Sequence, residues 1–353
     1  MARKVRTFAE HAYGVFELRV SRVQKLSPSF VRVSLAGPSL AYFSAELEDF
    51  EPLDAYVKFL VPAGDKPVEI DFTPSWRQDW FALQTDQRGG WMRTYTIRAA
   101  RLVPVSQLDS TLSSVPIIPA EYSGSREPAQ LPEGTVPEID IDFVMHAEVD
   151  ESGREHMGPA AAWAASATEG QLVSLMGPLS TSPLWASWDA EEAEDILIAV
   201  DETALPAALS VLGSYARADL GESAPRIRLL AEVPSAEDSL QALSHPDELP
   251  ENIEITWLPR KSAEGTASRG TLLASALRRE LNIADESAPV CERAADDEIV
   301  WGVAAGEHVS RYIFIAGEAS LIKTLRRVCV NEAQVPKENI SFMGYWREGR
   351  SEN

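Results

Sequence analysis

The feature that most narrows what this chain can fold into is a change of hydrophobic rhythm near its middle. In the first half, residues 16–23 and 29–35 alternate apolar with polar side chains, the period of a half-buried strand. Residues 55–61 and 93–99 behave in the same way, and 171–176 is stopped by Gly177-Pro178. The clearest case is Ile139-Asp140-Ile141-Asp142-Phe143, whose carboxylates are predicted to face water while the apolar side chains face inward. About six such strands with turn-rich spacers predict a small antiparallel barrel.

The second half alternates differently. Short apolar runs at 195–200, 226–233, 252–259 and 311–316 predict strands, and 339–346 closes the chain. Helical periodicity falls between them, at about 203–217, 271–281 and 319–330. Strands alternating with helices predict an α/β layer around a parallel sheet. The boundary is placed in the acidic, Trp-containing linker 184–194. Between 100 and 137 Pro, Ser, Glu and Gly crowd the chain, which reads as a surface insertion joining two barrel strands. The acidic stretch 284–298 reads as a loop. At 353 residues the chain is long for one core and comfortable for two.

Charge and cysteine usage exclude several functions. A net charge of -22 argues against nucleic acid as a partner, because phosphates are repelled. It also requires any site for an anionic ligand to be a local basic pocket. The strongest apolar runs, such as Ile196 to Val200, have the length of buried strands, short of the ~18 residues of a membrane helix. The start, Met-Ala-Arg-Lys-Val-Arg-Thr, is basic with no apolar stretch after it, so no signal peptide is read and a cytoplasmic location is expected. Cys291 and Cys329 cannot supply the four thiolates of an iron–sulfur cluster, and a reducing compartment is the simpler reading.

The most informative string is Arg93-Thr94-Tyr95-Thr96-Ile97-Arg98. On a strand, Arg93 and Tyr95 share one face, and Thr94 and Thr96 the other. A flavin needs a cation for its pyrophosphate, an aromatic ring against the isoalloxazine and a hydrogen-bond partner for its polar edge. Arg, Tyr and Thr supply these in turn; alone, the string is equally an edge strand with exposed basic residues. His146 follows, then Gly158-Pro159-Ala160-Ala161-Ala162-Trp163-Ala164, a helix start whose backbone N–H groups can hold a phosphate. Taken singly, these are a satisfied histidine and simple helix initiation. Asp201-Glu202-Thr203-Ala204-Leu205-Pro206 follows the first α/β strand at the edge where ligands bind, with Thr203 as a candidate N-cap. Two carboxylates there repel a pyrophosphate, and the chain holds no Gly-x-Gly-x-x-Gly. Ala316-Gly317-Glu318 follows a later strand, where small residues admit a nicotinamide or simply make a turn. Tyr345-Trp346-Arg347 ends the last strand, and Lys58 lies within the strand 55–61.

In this order the pieces resemble ferredoxin-reductase-like flavoproteins, and among them the siderophore-interacting proteins. The family hallmarks are Arg-x-Tyr-Thr-x-Arg, Asp-Phe-Val-x-His, Gly-Pro-Ala-Ser-x-Trp-Ala, Asp-Glu-Thr-Ala-Leu-Pro-Ala, Ala-Gly-Glu-Ala and a terminal Gly-Tyr-Trp-Arg-x-Gly. They are matched here at 93–98, 142–146, 158–164, 201–207, 316–319 and 344–349. The sequence departs from the family in three places. Ala161 stands where the family has Ser, removing one side-chain hydrogen bond of about 1 kcal/mol. Leu179-Ser180-Thr181-Ser182 lacks the basic residue relatives place there, and the insertion after Ala100 is longer than in compact members.

The resemblance implies an N-terminal antiparallel Greek-key β-barrel FAD domain over 1–185, with an insertion at about 101–137, and a C-terminal α/β parallel-sheet NAD(P)H-binding domain over 186–353. It implies FAD held by Arg93, Tyr95, Thr96, Arg98, His146, Gly158, Pro159, Ala160, Ala161 and Trp163. It places NAD(P)H on Asp201, Glu202, Thr203, Ala204, Gly317 and Glu318, and a ferric siderophore against Lys58, Trp346 and Arg347. No acid–base residue and no protein metal ligand is implied, because the work is electron transfer to an iron chelate. The chain is expected to act as a monomer. Two alternatives stay open: ferredoxin as the electron donor, and a non-catalytic ferric-siderophore-binding protein.

Overall fold

The computed structural model describes residues 12–44, 52–108, 112–124, 127–145, 147–149, 155–190, 193–218, 221–241, 250–283, 301–304 and 310–347. These form two compact units that divide between Ala186 and Ser187.

The first unit contains β1 (Tyr13–Ser27), β2 (Phe30–Ala36), β3 (Tyr56–Pro62), α1 (Trp76–Ala82), α2 (Thr85–Arg88), β4 (Gly90–Thr96) and β5 (Ala99–Pro104). It continues with β6 (Thr135–Val144), the short pair β7 (Ala147–Val149) and β8 (Glu155–Met157), α3 (Pro159–Ser166) and β9 (Leu172–Pro178). Seven strands make one antiparallel sheet in the order β4-β3-β9-β1-β2-β6-β5. The edge strands β4 and β5 are consecutive in the chain. Between them, Ile97 N donates to Ala55 O and Arg98 N to Asp140 O, both at 2.8 Å. Residues 97–98 therefore tie one edge of the sheet to the other, and among the described residues no ladder closes the barrel.

The inward face is the alternating apolar set. Phe16, Leu18, Val33, Leu35, Phe59, Ile139, Ile141 and Phe143 are all fully buried in one core. The other face of β6 departs from expectation. Glu138, Asp140 and Asp142 are buried rather than solvated. Arg32 binds Asp142 through two hydrogen bonds, 2.6 and 2.8 Å, and Arg101 binds Asp140 at 2.8 Å and also Glu138. β5 brings Arg101 over the carboxylates, and β2 supplies Arg32. Burial works to raise the Asp140 pKa, but the Arg101 and Ser34 hydrogen bonds and the nearby arginine charges hold it below the usual carboxylate range.

The Pro-rich stretch expected to be an insertion between strands is partly sheet. β5 occupies its start, and Ile117 pairs with Val15 through N–H···O bonds of 2.8 and 2.9 Å. Ile118 enters the core, and the Tyr122 ring lies 5.2 Å from Tyr13. Low periodicity hid this because isolated pairing carries no alternating pattern.

The second unit contains β10 (Asp195–Val200), α4 (Leu205–Arg217), β11 (Arg226–Val233), α5 (Ala236–Gln241), β12 (Ile253–Pro259), the hairpin β13 (Lys261–Ser262) and β14 (Gly265–Thr266), and α6 (Thr271–Glu280). β15 (Trp301–Gly302), β16 (Arg311–Glu318), α7 (Ala319–Arg327) and β17 (Ile340–Trp346) complete it. The sheet order is β12-β11-β10-β16-β17-β15, parallel throughout except for β15. Its central strands β10, β11 and β16 are buried on both faces, as the continuous apolar runs require. The order reverses between β10 and β16. The acidic stretch read as a loop lies outside the described residues.

Candidate functional site

The candidate flavin site is built where β4 meets β3, β6 and α3. Register places Val57 opposite Tyr95, Lys58 opposite Thr94 and Phe59 opposite Arg93. Directly opposed residues share a sheet face, so Arg93 and Tyr95 lie with Phe59, while Thr94 and Thr96 lie with Lys58. The Tyr95 ring sits 4.4 Å from Phe143 and 6.1 Å from Phe59. Trp163 of α3 lies 5.4 Å from Phe143 and 4.8 Å from Phe59. The two segments expected to share a ligand thus converge on two aromatic rings, Phe59 and Phe143. Neither ring was singled out in the sequence, because alternation marks both only as core.

α3 opens at Gly158 with Pro159 at its first position, and no side chain caps it. A Cβ on Gly158 would meet nothing within 4 Å, so space is open above the first turn. Ala160, Ala161 and Trp163 are buried against the core, so the helix offers backbone N–H groups rather than side chains there. Trp163 Nε1 is buried and has no hydrogen-bond partner among the described residues. An uncapped helix start, a half-buried tyrosine and a half-buried arginine together match the donor set of a flavin dinucleotide. Arg93 Nη1 donates to the Met92 carbonyl at 2.9 Å. Lys58 Nζ donates to Thr94 Oγ1 at 2.6 Å on the opposite face, beside the buried Thr96. Arg98 lies towards the carboxylate ladder, with Nε 3.9 Å from Asp142 Oδ2. His146 lies outside the described residues.

In the second unit, the residues at the carboxyl ends of the strands are turned inward. Asp201 is fully buried. Its Oδ1 accepts from Thr203 N (2.9 Å), Thr203 Oγ1 (2.5 Å) and Ala204 N (3.4 Å), and its Oδ2 accepts from Glu318 N (2.8 Å). Ala204, not Thr203, is the N-cap of α4, and the Asp201 carboxylate orders the turn just before the helix rather than capping its first turn. Gly317, at φ 150°, is required here: a Cβ would lie 2.5 Å from Asp201 Cγ. Glu318 caps α7, accepting from Ser320 N and Leu321 N at 2.7 and 2.9 Å.

Glu202 is sealed by Arg260 through bonds of 2.7 and 2.8 Å, and Arg269 Nη2 adds a third at 3.1 Å. Arg260 also reaches Glu232 at 3.3 Å, and Glu232 accepts from Gly270 N and Leu273 N at the start of α6. Burial, then the Glu202 charge, pushes the Asp201 pKa up to about 6. Burial pulls Glu202 the same way, but the Arg260 hydrogen bonds and charge hold it below the ordinary range. Trp346 carries the Arg269 guanidinium 4.6 Å from its ring, and Arg347 is half-buried beside it in sequence. Arg260 and Arg269 were missed in the sequence. Arg260 was findable, since it stands one residue past β12, at the ligand-binding edge of such a sheet.

A family model described as a siderophore-interacting FAD-binding domain matches residues 19–108 and 125–182. A second, described as siderophore-interacting protein, matches 193–349. The gap in the first falls on the stretch that carries Ile117 and Tyr122. The ferric vibriobactin reductase ViuB of Vibrio cholerae is 26% identical over 215 residues, 61% of either chain. An uncharacterised protein of Mycobacterium tuberculosis is 30% identical over 220 residues, 61% of this chain and 62% of that one. The alignments thus span less than two thirds of these relatives. The structure of a siderophore utilization protein from T. fusca superposes with a TM-score of 0.56 at 24% identity, covering 97% of this chain and 95% of that one.

Proposed function

The chain belongs to the siderophore-interacting protein family, and from that premise we propose that it is an FAD-dependent ferric-siderophore reductase drawing electrons from NAD(P)H. The observation that carries the reading is the convergence on Phe59 and Phe143 of Tyr95 and of Trp163 from α3, the helix whose start at Gly158 is uncapped. Bound FAD supplies the exchange between two-electron and one-electron chemistry that ferric iron requires. The chain's own residues do the holding. Tyr95 provides a ring for the isoalloxazine, Arg93 and the N–H groups following Gly158 neutralise pyrophosphate, and Thr96 serves the polar edge.

Lys58 in the first unit, and Arg347 with Trp346 in the second, each offer a cation or an aromatic face that an anionic chelate can use within an otherwise acidic protein. Reducing the metal lowers its charge, weakens its bonds to hard oxygen ligands and frees ferrous iron. The test is an absorbance spectrum of the purified protein before and after anaerobic NADH or NADPH, then after a ferric chelate. A yellow protein that bleaches with nucleotide and recovers with chelate is expected. A colourless protein that binds ferric siderophore would sink the reductase reading and leave a binding protein.

Ferredoxin as donor is the second reading. It is favoured by two helix starts of the second unit, where buried carboxylates occupy first-turn N–H groups of α6 and α7 that a pyrophosphate would use. Bleaching by reduced ferredoxin and by neither nucleotide would select it.

A further inference from the structure

We propose that Arg269 is the phosphate-binding residue of the second unit, the side chain that holds the anionic part of a nicotinamide dinucleotide. This rests on the NAD(P)H reading above and names the residue responsible. In an open α/β sheet the ligand lies outside the carboxyl ends of the strands, where the strand order reverses. Here the reversal falls between β10 and β16. Arg269 stands at that point. It reaches Glu202, two residues past the end of β10, at 3.1 Å, and its guanidinium lies 4.6 Å from the ring of Trp346 at the end of β17. The adjoining Gly270, at φ 81°, is packed so closely that a Cβ would lie 2.6 Å from Leu321 Cδ1, in the first turn after β16.

The usual anion site in such a fold is a helix N-terminus, and here carboxylates occupy first-turn N–H groups of α6 and α7 along this edge. Glu232 caps α6 and Glu318 caps α7, while the buried Asp201 and Glu202 carboxylates lie just before α4. A phosphate at this edge therefore meets carboxylates unless a side-chain cation intervenes. Arg260 does not serve, since it is 9% exposed and bound twice to Glu202. Arg269 is 27% exposed, and its Nε has no hydrogen-bond partner among the described residues. A partly exposed guanidinium beside an indole, with Nη2 on Glu202 and its buried Nε without a partner among the described residues, supplies the cation that phosphate oxygens need at this edge.

The test uses the FAD-loaded wild type, Arg269→Met and Arg269→Lys. Each is titrated calorimetrically with 2′,5′-ADP and with ADP as phosphate probes, and then mixed anaerobically with NADPH and NADH. Arg269→Met should weaken probe binding at least tenfold and flatten its salt dependence. Arg269→Lys keeps the charge but not the fork, and should fall between; it carries the test if the Met variant fails to fold. Wild type that binds the probes, with both variants within twofold of it, overturns the assignment and leaves the NAD(P)H reading standing. Wild type that binds neither probe and is bleached by neither nucleotide refutes the NAD(P)H reading, and the assignment falls with it.

Discussion

Replacing Arg260 with Met should destabilise the second unit by about 3 kcal/mol, and the loss should depend on pH. Arg260 is 9% exposed, while Glu202 and Glu232 are 1% and 0% exposed. Removing one partner of a buried ion pair costs roughly 3–5 kcal/mol, because the other charge is stranded in a poorly polarisable interior. The lower end applies because Arg269 remains 3.1 Å from Glu202 and two backbone N–H groups remain on Glu232. For a unit of this size, about 1 kcal/mol shifts Tm by roughly 2–4 °C, so a fall of about 6–12 °C is expected.

The sign with pH follows from Glu202. Its folded pKa is depressed, so it contributes stability that is present above the unfolded value near ~4.3 and is lost as pH falls through the folded value. Without Arg260 that depression goes, burial then pushes the Glu202 pKa up, and the stranded Glu202 carboxylate takes up a proton on acidification. The variant's deficit should therefore be largest at pH 8 and shrink towards pH 5. Calorimetric melting of wild type and variant across this range is the assay, with Arg260→Met/Glu202→Gln as the partner that relieves one stranded charge and should recover part of the loss. A deficit under about 1 kcal/mol, or one equal at pH 5 and pH 8, would refute the buried-charge reasoning.

Asp201 behaves oppositely. Its folded pKa is pushed up to about 6, so the folded chain holds a proton that the unfolded chain releases near ~3.9, and stability should fall as pH rises from about 4 to 6. Asp201→Asn should remove that slope in urea titrations run at each pH. Phe143→Ala empties a fully buried site under Tyr95 and Trp163, and should cost roughly 3–5 kcal/mol in denaturant unfolding and lower the FAD content of purified protein. Lys58→Glu/Arg347→Glu should raise KM for an anionic chelate while the bound FAD measured by absorbance is unchanged; unaltered chelate kinetics would remove both residues from the site. The Cys329 thiol is buried, and burial with the Glu332 charge pushes its pKa up to about 12. In a Cys291→Ser background it should resist a thiol reagent at pH 8 until the protein is unfolded.

What the sequence by itself determined was periodicity and order. Alternation at 139–143 and the apolar run at 196–200 named strands of two kinds, because burial on one face or on both leaves a readable pattern. The ordered motifs carried the family. Only the tertiary structure decided what the charged residues do. Asp140 and Asp142 read as solvated from alternation alone, yet Arg32 and Arg101, distant in sequence, bury them. The family resemblance places Asp201, Glu202 and Glu318 at a dinucleotide, and packing adds what the motif does not display: the Asp201 carboxylate orders the turn before α4, Glu202 meets Arg260 and Glu318 caps α7. Strand periodicity is local, so the chain displays it directly. A charge's role depends on which partner is brought within about 3 Å and how much water is removed around both, and that is settled only when separate segments pack.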